Sequence, residues 1–425
     1  MRGINAYKRI HFIGCGGAGM APLANIMLQQ GYQVSGSDLQ TNAKTIALAT
    51  AGATIFTGHE ATNLPLDDNV LIVYSSAVGT DNPELAQAKK RGLCCLRRGA
   101  MLAELAAGYK RSVAIGGSHG KTTVTAMLVH IVRSCNADCG FMIGGKVNGW
   151  DRESAAGNGD IFITEVDESD GTIALISPYL GLLTNIEDDH SWSVGGREVL
   201  MANFCRFAEQ SKHLIRFDDA ETEELFAHHD NGLVIAATTA IQQYSLPPEW
   251  GEYQCLNGVL AINAAVHLGI TAAAALNALF TFPGVARRMV TWLEREELTV
   301  IEDYAHHPTE VAAVLKSLRS RFPEYHLRVI FQPHRYARLE RYIAEFATEL
   351  SLADSILITP VFAAWTETGQ VDSTDLVQLI GKKACCISGS WSQMAETAKA
   401  YIGIKPLLIA VLGAGDIEQI IPKLI

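Results

Sequence analysis

The stretch Gly116-Gly117-Ser118-His119-Gly120-Lys121-Thr122-Thr123 constrains this chain more than any other. It follows the apolar run Ser112-Val113-Ala114-Ile115 and precedes a helix-like run, Val124 to Val132. A strand that turns through glycines into a helix start is a phosphate cradle in an α/β sheet. Backbone N–H groups and the helix dipole favour an anion, Lys121 adds a point charge, and the Thr122 hydroxyl can hold Mg²⁺. The usual loop carries a glycine where this chain has Ile115, so the loop is a shortened version. A plain glycine turn beside a solvated lysine leaves Gly-Lys-Thr-Thr in this strand–helix context unexplained. The chain is therefore expected to bind a nucleoside triphosphate.

Composition narrows the remaining classes. A chain of 425 residues suggests two to four domains, each able to bury its own core. With 48% hydrophobic and 19% charged residues it reads as a soluble globular protein. A formal net charge of −11 argues against nucleic acid bound through a broad basic face, but leaves an anionic small substrate open. The nine cysteines are scattered, and Cys135 and Cys139 read as packing residues, so a reducing compartment is expected. No leader-like N-terminus and no run approaching about 18 apolar residues is present. A cytoplasmic location without a membrane partner follows as the expectation; oligomeric state is not readable.

Three segments emerge. In residues 1–107, short apolar strands (Ile10 to Ile13, Gln33 to Ser37, Val70 to Tyr74) alternate with helical patterns such as Met20 to Gln29. Such a βαβ series predicts a parallel sheet. Residues 108–283 hold the phosphate loop, strands at Asp160 to Glu165, Leu180 to Thr184 and His213 to Arg216, and an alanine-rich helix, Gly258 to His267. Residues 284–425 place strands at Thr299 to Glu302, Arg328 to Gln332, Ser355 to Thr359 and Leu407 to Leu412, with a helix at Pro308 to Arg321. The expected fold class is α/β in three domains, with Rossmann-like outer domains and a central P-loop ATPase-like parallel sheet.

Several constellations sit at predicted strand ends. Gly14-Cys15-Gly16-Gly17-Ala18-Gly19 matches G-x-G-x-x-G, and Asp38 follows nineteen residues later at the next strand's end. This fits a dinucleotide fingerprint, any other diphosphate-bearing nucleotide, or a structural turn. Thr164 to Asp170 places four carboxylates just past a strand, where Mg²⁺ or plain solvation would both suit them. Asn185 to His190 sets a histidine among carboxylates, a candidate metal ligand or acid–base group. Arg287-Arg288, Glu302 to Pro308 and Gln332 to Arg338 are cationic or histidine-rich, which suits an anion, although local pairing with acids such as Glu340 is also open.

In this order and spacing the motifs resemble the Mur ligase family, with nearly the whole chain covered. The resemblance runs through His11-Phe12-Ile13-Gly14, Ser35-Gly36-Ser37-Asp38, Ser75-Ser76-Ala77 and Ser118 to Thr123. It continues with Asp167-Glu168-Ser169-Asp170-Gly171, Thr184 to Glu187, Asp189-His190, Asp303 to Glu310, Phe331 to Arg338 and Gly413 to Ile417. It implies an ATP-dependent amide ligase of peptidoglycan precursor synthesis that takes UDP-N-acetylmuramate and L-alanine, with ATP and Mg²⁺. A peptide-attaching relative and a non-catalytic nucleotide-binding paralogue are the alternatives.

Carried onto this chain, the resemblance places the UDP-sugar at Gly14, Gly16, Gly17, Gly19, Ser37, Asp38, Ser75 and Ala77. ATP would contact Gly117, Ser118, His119, Gly120, Lys121, Thr122, Thr123, Asn257, Arg288 and Asp303, and Mg²⁺ would be held by Thr122, Glu165 and His190. His306, His334, Arg335 and Arg338 would face the amino acid and the reacting carboxylate. Lys121, Glu165, His190, Arg288, His334 and Arg335 are the implied catalytic groups. Such enzymes convert a carboxylate to an acyl phosphate that an amine then attacks, and lysine, arginines and Mg²⁺ suit the negative charge of both steps. The third domain is expected to close over the site. The chain departs from the family at Gly251 to Asn257, where only the last asparagine is kept, at Trp192 and Val194, and at 362–367. The short interval from His190 to Asn257 predicts a trimmed central domain.

Overall fold

The computed structural model describes residues 3–189, 191–226, 232–247, 250–364, 368–400 and 405–425. Three sheets form among the described residues. The first comprises β1 (Arg9–Ile13), β2 (Gln33–Asp38), β3 (Thr54–Thr57), β4 (Val70–Tyr74) and β5 (Cys94–Arg97), parallel and ordered β3-β2-β1-β4-β5. Its helices are α1 (Met20–Gln29), α2 (Ala43–Thr50), α3 (Pro83–Lys90) and α4 (Arg98–Ala107). Because β1 lies between β2 and β4, the chain leaves it in opposite directions, which opens a crevice at the carboxyl ends of the strands.

The second sheet comprises β6 (Arg111–Gly116), β7 (Cys139–Met142), β8 (Ser154–Ala155), β9 (Ile161–Glu165), β10 (Leu180–Leu183), β11 (His213–Phe217) and β12 (Gly232–Ile235). Its order is β12-β11-β10-β6-β9-β7-β8, with only β8 antiparallel among the described pairings. The third comprises β13 (Val290–Glu294), β14 (Leu298–Asp303), β15 (His326–Phe331), β16 (Ser355–Ile358), β17 (Ala384–Cys386) and β18 (Leu407–Leu412), ordered β13-β14-β18-β15-β16-β17 with β13 antiparallel.

The buried runs explain the parallel pairing. Val70 to Val73 and the whole of β18 are buried, as strands covered by helices on both faces must be. Phe12, Phe162 and Phe331 are fully buried, each contributing about 1.5–3 kcal/mol. Local signals set the helix starts: Asn42 forms a capping box with Thr45 ahead of α2, and Asn82 caps α3, whose first residue is Pro83.

The chain divides into two compact units. One contains residues up to Tyr244 together with Leu256–Pro283, and the other contains Ser245–Cys255 and Gly284–Ile425. The helix after the phosphate loop, α5 (Lys121–Ser134), starts at the lysine itself, three residues before the expected run. The alanine-rich helix spans Glu252–His267 and so starts six residues before the expected Gly258. Its natural break is Gly251, whose φ of +77° is the left-handed conformation, whereas Gly258 sits within the helix. No described helix is long and apolar enough to cross a membrane.

Candidate functional site

The phosphate loop lies at the carboxyl end of β6, the central strand of its sheet, and its backbone is built on positive-φ glycines, Gly117 at +127° and Gly120 at +84°. A side chain at 117 would collide with the Thr184 hydroxyl, and one at 120 would stand 2.6 Å from Asn257 Oδ1. Glycine is required there for both conformation and space. Asn257, the asparagine kept from the family pattern, thus lies directly against the loop.

The segment after β10 straps the loop in place. Ser118 N–H donates to the Asn185 carbonyl at 3.0 Å, and His119 N–H donates to Asn185 Oδ1 at 2.9 Å. Asn185 Nδ2 returns a bond to the His119 carbonyl at 3.1 Å, and Glu187 N–H donates to Ser118 Oγ at 2.8 Å. Ser118, His119 and Thr123 are buried by this arrangement.

Lys121 Nζ turns back into the loop. It donates to the carbonyls of Gly117 at 2.6 Å and Ser118 at 3.0 Å and pairs with Glu168 Oε2 at 2.7 Å. Burial opposes its charge, but Glu168 and Asp167 hold the ammonium above its ordinary pKa. Burial lifts the Glu168 carboxyl to about 7 even though Lys121 pulls the other way. Asp167 escapes the pull of burial, because Lys121 and Ser169 hold it below the usual carboxylate range. The Thr122 hydroxyl donates to Glu165 Oε2 at 2.7 Å, and burial pushes the Glu165 carboxyl up. A side chain on Gly144 would collide with that carboxylate. A hydroxyl and a carboxylate oxygen converging beside a phosphate loop fit a hard divalent cation, and the loop itself fits a polyphosphate. His190, expected as the third metal ligand, lies outside the described residues, as do 365–367.

The first sheet's glycine loop joins β1 to α1. Asp38 Oδ2 accepts Gly16 N–H at 2.8 Å, so this carboxylate braces the turn. The Ser37 carbonyl accepts from Gly14 at 2.8 Å and Cys15 at 3.0 Å, while its hydroxyl is buried and bonded to Glu84. Ser75 abuts Gly14, where an added Cβ would lie 3.2 Å from the Ser75 Cβ; Ala77 is exposed just beyond. The side chain of Arg98, at the start of α4, lies over Gly19, with Cδ 2.8 Å from where a Cβ would stand. Its Nη2 pairs with Asp170 and also donates to Thr172 Oγ1 at 3.3 Å. One guanidinium thereby links the glycine loop to the acidic segment whose Glu168 holds Lys121. Arg98 carries no local sequence signal for this role, since its partners lie more than 70 residues away; Glu168 belongs to the acidic segment singled out above, but its pairing with Lys121 is not legible there.

In the second unit, Asp303 ends β14 with both oxygens engaged, accepting Met289 N–H and Ala305 N–H at 2.8 Å each. Burial pushes its carboxyl up to about 6. Arg288 stacks over Tyr304, 5.0 Å from the ring centre, and pairs with Glu310 at 3.4 Å. Its neighbours Arg287 and Met289 both adopt positive φ, +61° and +50°, a costly conformation for residues with side chains. His306 is fixed by Glu310, which accepts its N–H at 3.0 Å, and its ring lies edge-on to His334 at 5.6 Å. His334 stacks on Phe362, and burial, His306 and the nearby arginines depress its pKa to about 3. Arg335 (φ +69°) stands at the N-cap of the helix Tyr336–Leu350, and Arg338 is buried in that helix's first turn. His306, Arg335 and Arg338 thus lie near His334, on the segments that follow β14 and β15.

Comparison with known proteins fits this geometry. The model of the Mur ligase family, catalytic domain, matches residues 9–110; the Mur ligase middle domain matches 115–243; and the Mur ligase, glutamate ligase domain matches 287–415. A UDP-N-acetylmuramate–L-alanine ligase of Syntrophomonas wolfei is 33% identical over 447 residues, covering 97% of this chain and 96% of that protein. Its namesake in Renibacterium salmoninarum is 37% identical, covering 85% and 83%. The crystal structure of UDP-N-acetylmuramate-alanine ligase from Thermotoga maritima superposes with a TM-score of 0.76 at 25% identity, covering 98% of both chains. A murein peptide ligase from Psychrobacter arcticus shares the fold at a TM-score of 0.68 and 22% identity. The chain belongs to the Mur ligase family of ATP-dependent ligases.

Proposed function

We propose that this protein joins L-alanine to the carboxylate of UDP-N-acetylmuramate at the expense of ATP, a step in peptidoglycan precursor synthesis. The observation that carries the reading is the link, within one compact unit, between a nucleotide-type glycine loop and a phosphate loop through Arg98, Asp170 and Glu168. A ligase that activates a sugar nucleotide with ATP needs both loops. The relatives' shared name supplies the substrates. The peptide-attaching alternative has no comparable support, because the peptide ligase above shares the fold alone.

In this reading, residues 1–107 hold the sugar nucleotide, residues 108–283 hold ATP, and residues 284–425 hold the amino acid. The N-terminus of α5 and the loop N–H groups receive the triphosphate, and Lys121 leaves Glu168 to neutralise it. Thr122 and Glu165, with His190 assigned from sequence alone, would hold Mg²⁺, which would supply charge neutralisation on the phosphate oxygens. Arg98 anchors the diphosphate at the start of α1. Arg335 and Arg338 suit the carboxylate of the incoming amino acid as bidentate donors. His334, kept neutral by its surroundings, presents no competing positive charge to the amine. Arg288, stacked on Tyr304, is assigned to the phosphate oxygens in this reading. The test is phosphate release by the purified protein with ATP and Mg²⁺. Release should require both UDP-N-acetylmuramate and L-alanine, and release indifferent to either substrate overturns the reading.

A further inference from the structure

Glu84, the second residue of α3, is fully buried and accepts four hydrogen bonds. His11 Nε2 at 2.9 Å and Ser37 Oγ at 2.8 Å reach its Oε2, while Asn63 Nδ2 at 2.8 Å and Glu60 N–H at 3.2 Å reach its Oε1. Burial alone would favour its neutral form, but the bonds from His11, Asn63 and Ser37 hold it below its ordinary value, so it is ionised. An ionised carboxylate only accepts. The single hydroxyl hydrogen of Ser37 is therefore committed to Glu84, and Ser37 Oγ must accept from His59 Nδ1 at 2.9 Å. That assignment fixes the tautomer of His59. In the neutral ring the hydrogen is on Nδ1 and the lone pair is on Nε2.

The same logic orients His11, whose Nε2–H points at Glu84 while Nδ1 accepts from Ser35 at 2.8 Å; that ring is sealed in the core. His59 differs. Its side chain is 13% exposed, and Nε2 has no partner among the described residues. Gly58 N–H donates to the Asp38 carbonyl at 2.7 Å, which pins His59 to the end of β2, beside the acid that braces the Gly16 turn. A fixed acceptor therefore stands at the sheet edge where open α/β folds bind nucleotides.

We propose that His59 is the base-reading residue of the sugar-nucleotide site, its Nε2 accepting the N3–H of uracil. The inference rests on the UDP-sugar reading above and specifies how that site selects its base. Uracil offers a donor at N3 between two carbonyls, whereas cytosine has an acceptor at N3, so the fixed lone pair favours one pyrimidine and repels the other. Glu84, Ser37 and His11 act through His59 as positioning residues.

The test is binding of UDP, CDP and N3-methylated UDP to the full chain by calorimetry, with ATP affinity reporting an intact fold. The wild type should bind UDP about 10-fold or more tightly than the other two. His59→Phe should weaken UDP about 10-fold, bring the UDP-to-CDP ratio close to one and leave ATP affinity unchanged. His59→Gln, whose amide oxygen can accept, should restore part of the preference, and it tests the proposal if the phenylalanine variant does not fold. A wild-type UDP-to-CDP ratio retained in His59→Phe overturns the role of His59 while the sugar-nucleotide reading stands. A wild type that binds no UDP overturns that reading itself.

Discussion

The Lys121–Glu168 pair yields a prediction whose size follows from its surroundings. Glu168 is 1% exposed, and burial lifts its carboxyl from an ordinary 4.5 to about 7. The native protein therefore binds more protons at this site than the unfolded chain between about pH 4.5 and 7. Stability falls as pH rises through that window. At about 1.4 kcal/mol per tenfold, full ionisation costs about 3 kcal/mol. Glu168→Gln keeps the shape and removes the titration, so ionisable groups away from Lys121 and Asp167 cancel when variant and wild type are compared. Without nucleotide, the variant should be slightly more stable at pH 5, and its advantage should grow by about 2–3 kcal/mol by pH 8. Urea unfolding of both proteins at unit pH steps, followed by circular dichroism, measures that difference. Parallel stability–pH curves would refute the reasoning and mean that Lys121 satisfies the carboxylate at every pH.

Two further substitutions probe the architecture around that pair. Arg98→Ala should raise the KM for the sugar nucleotide about 10- to 100-fold while changing the KM for ATP far less. Arg98→Lys should not restore it, because an ammonium cannot span Asp170, Thr172 and a phosphate together; steady-state phosphate release checks both. Asn185→Ala removes the reciprocal bonds to His119 and leaves a buried N–H unpaired, which should cost about 1–3 kcal/mol and weaken ATP binding. Thermal unfolding with and without ATP reads both effects.

The sequence made most of the sheet interiors legible, because buried parallel strands such as Val70–Tyr74 and Leu407–Leu412 are continuous apolar runs. Short edge strands were not legible: Cys94–Arg97 and Ala384–Cys386 are brief, half-exposed and lack alternation. The glycine-lysine and glycine-glycine turns announced themselves, since backbone conformation restricts which residues fit there. What surrounds them did not. Arg98 meets Asp170, and His11 meets Glu84, across more than 70 residues of chain, and no local period encodes such contacts. Asp38 had the residue type and position for a ribose contact, yet the structure uses one of its oxygens to brace Gly16. Asp303 likewise has both oxygens on backbone N–H groups, a commitment visible only once β14 and the Arg287–Met289 turn are in place.

The central claim is that Lys121 holds ATP for activation of a sugar-nucleotide carboxylate. Its most direct test is Lys121→Ala assayed for phosphate release alongside calorimetric binding of UDP-N-acetylmuramate. Phosphate release dependent on sugar nucleotide and alanine should fall by roughly 100-fold or more, while the sugar nucleotide should still bind at the first domain. Turnover at the wild-type rate in Lys121→Ala would contradict it.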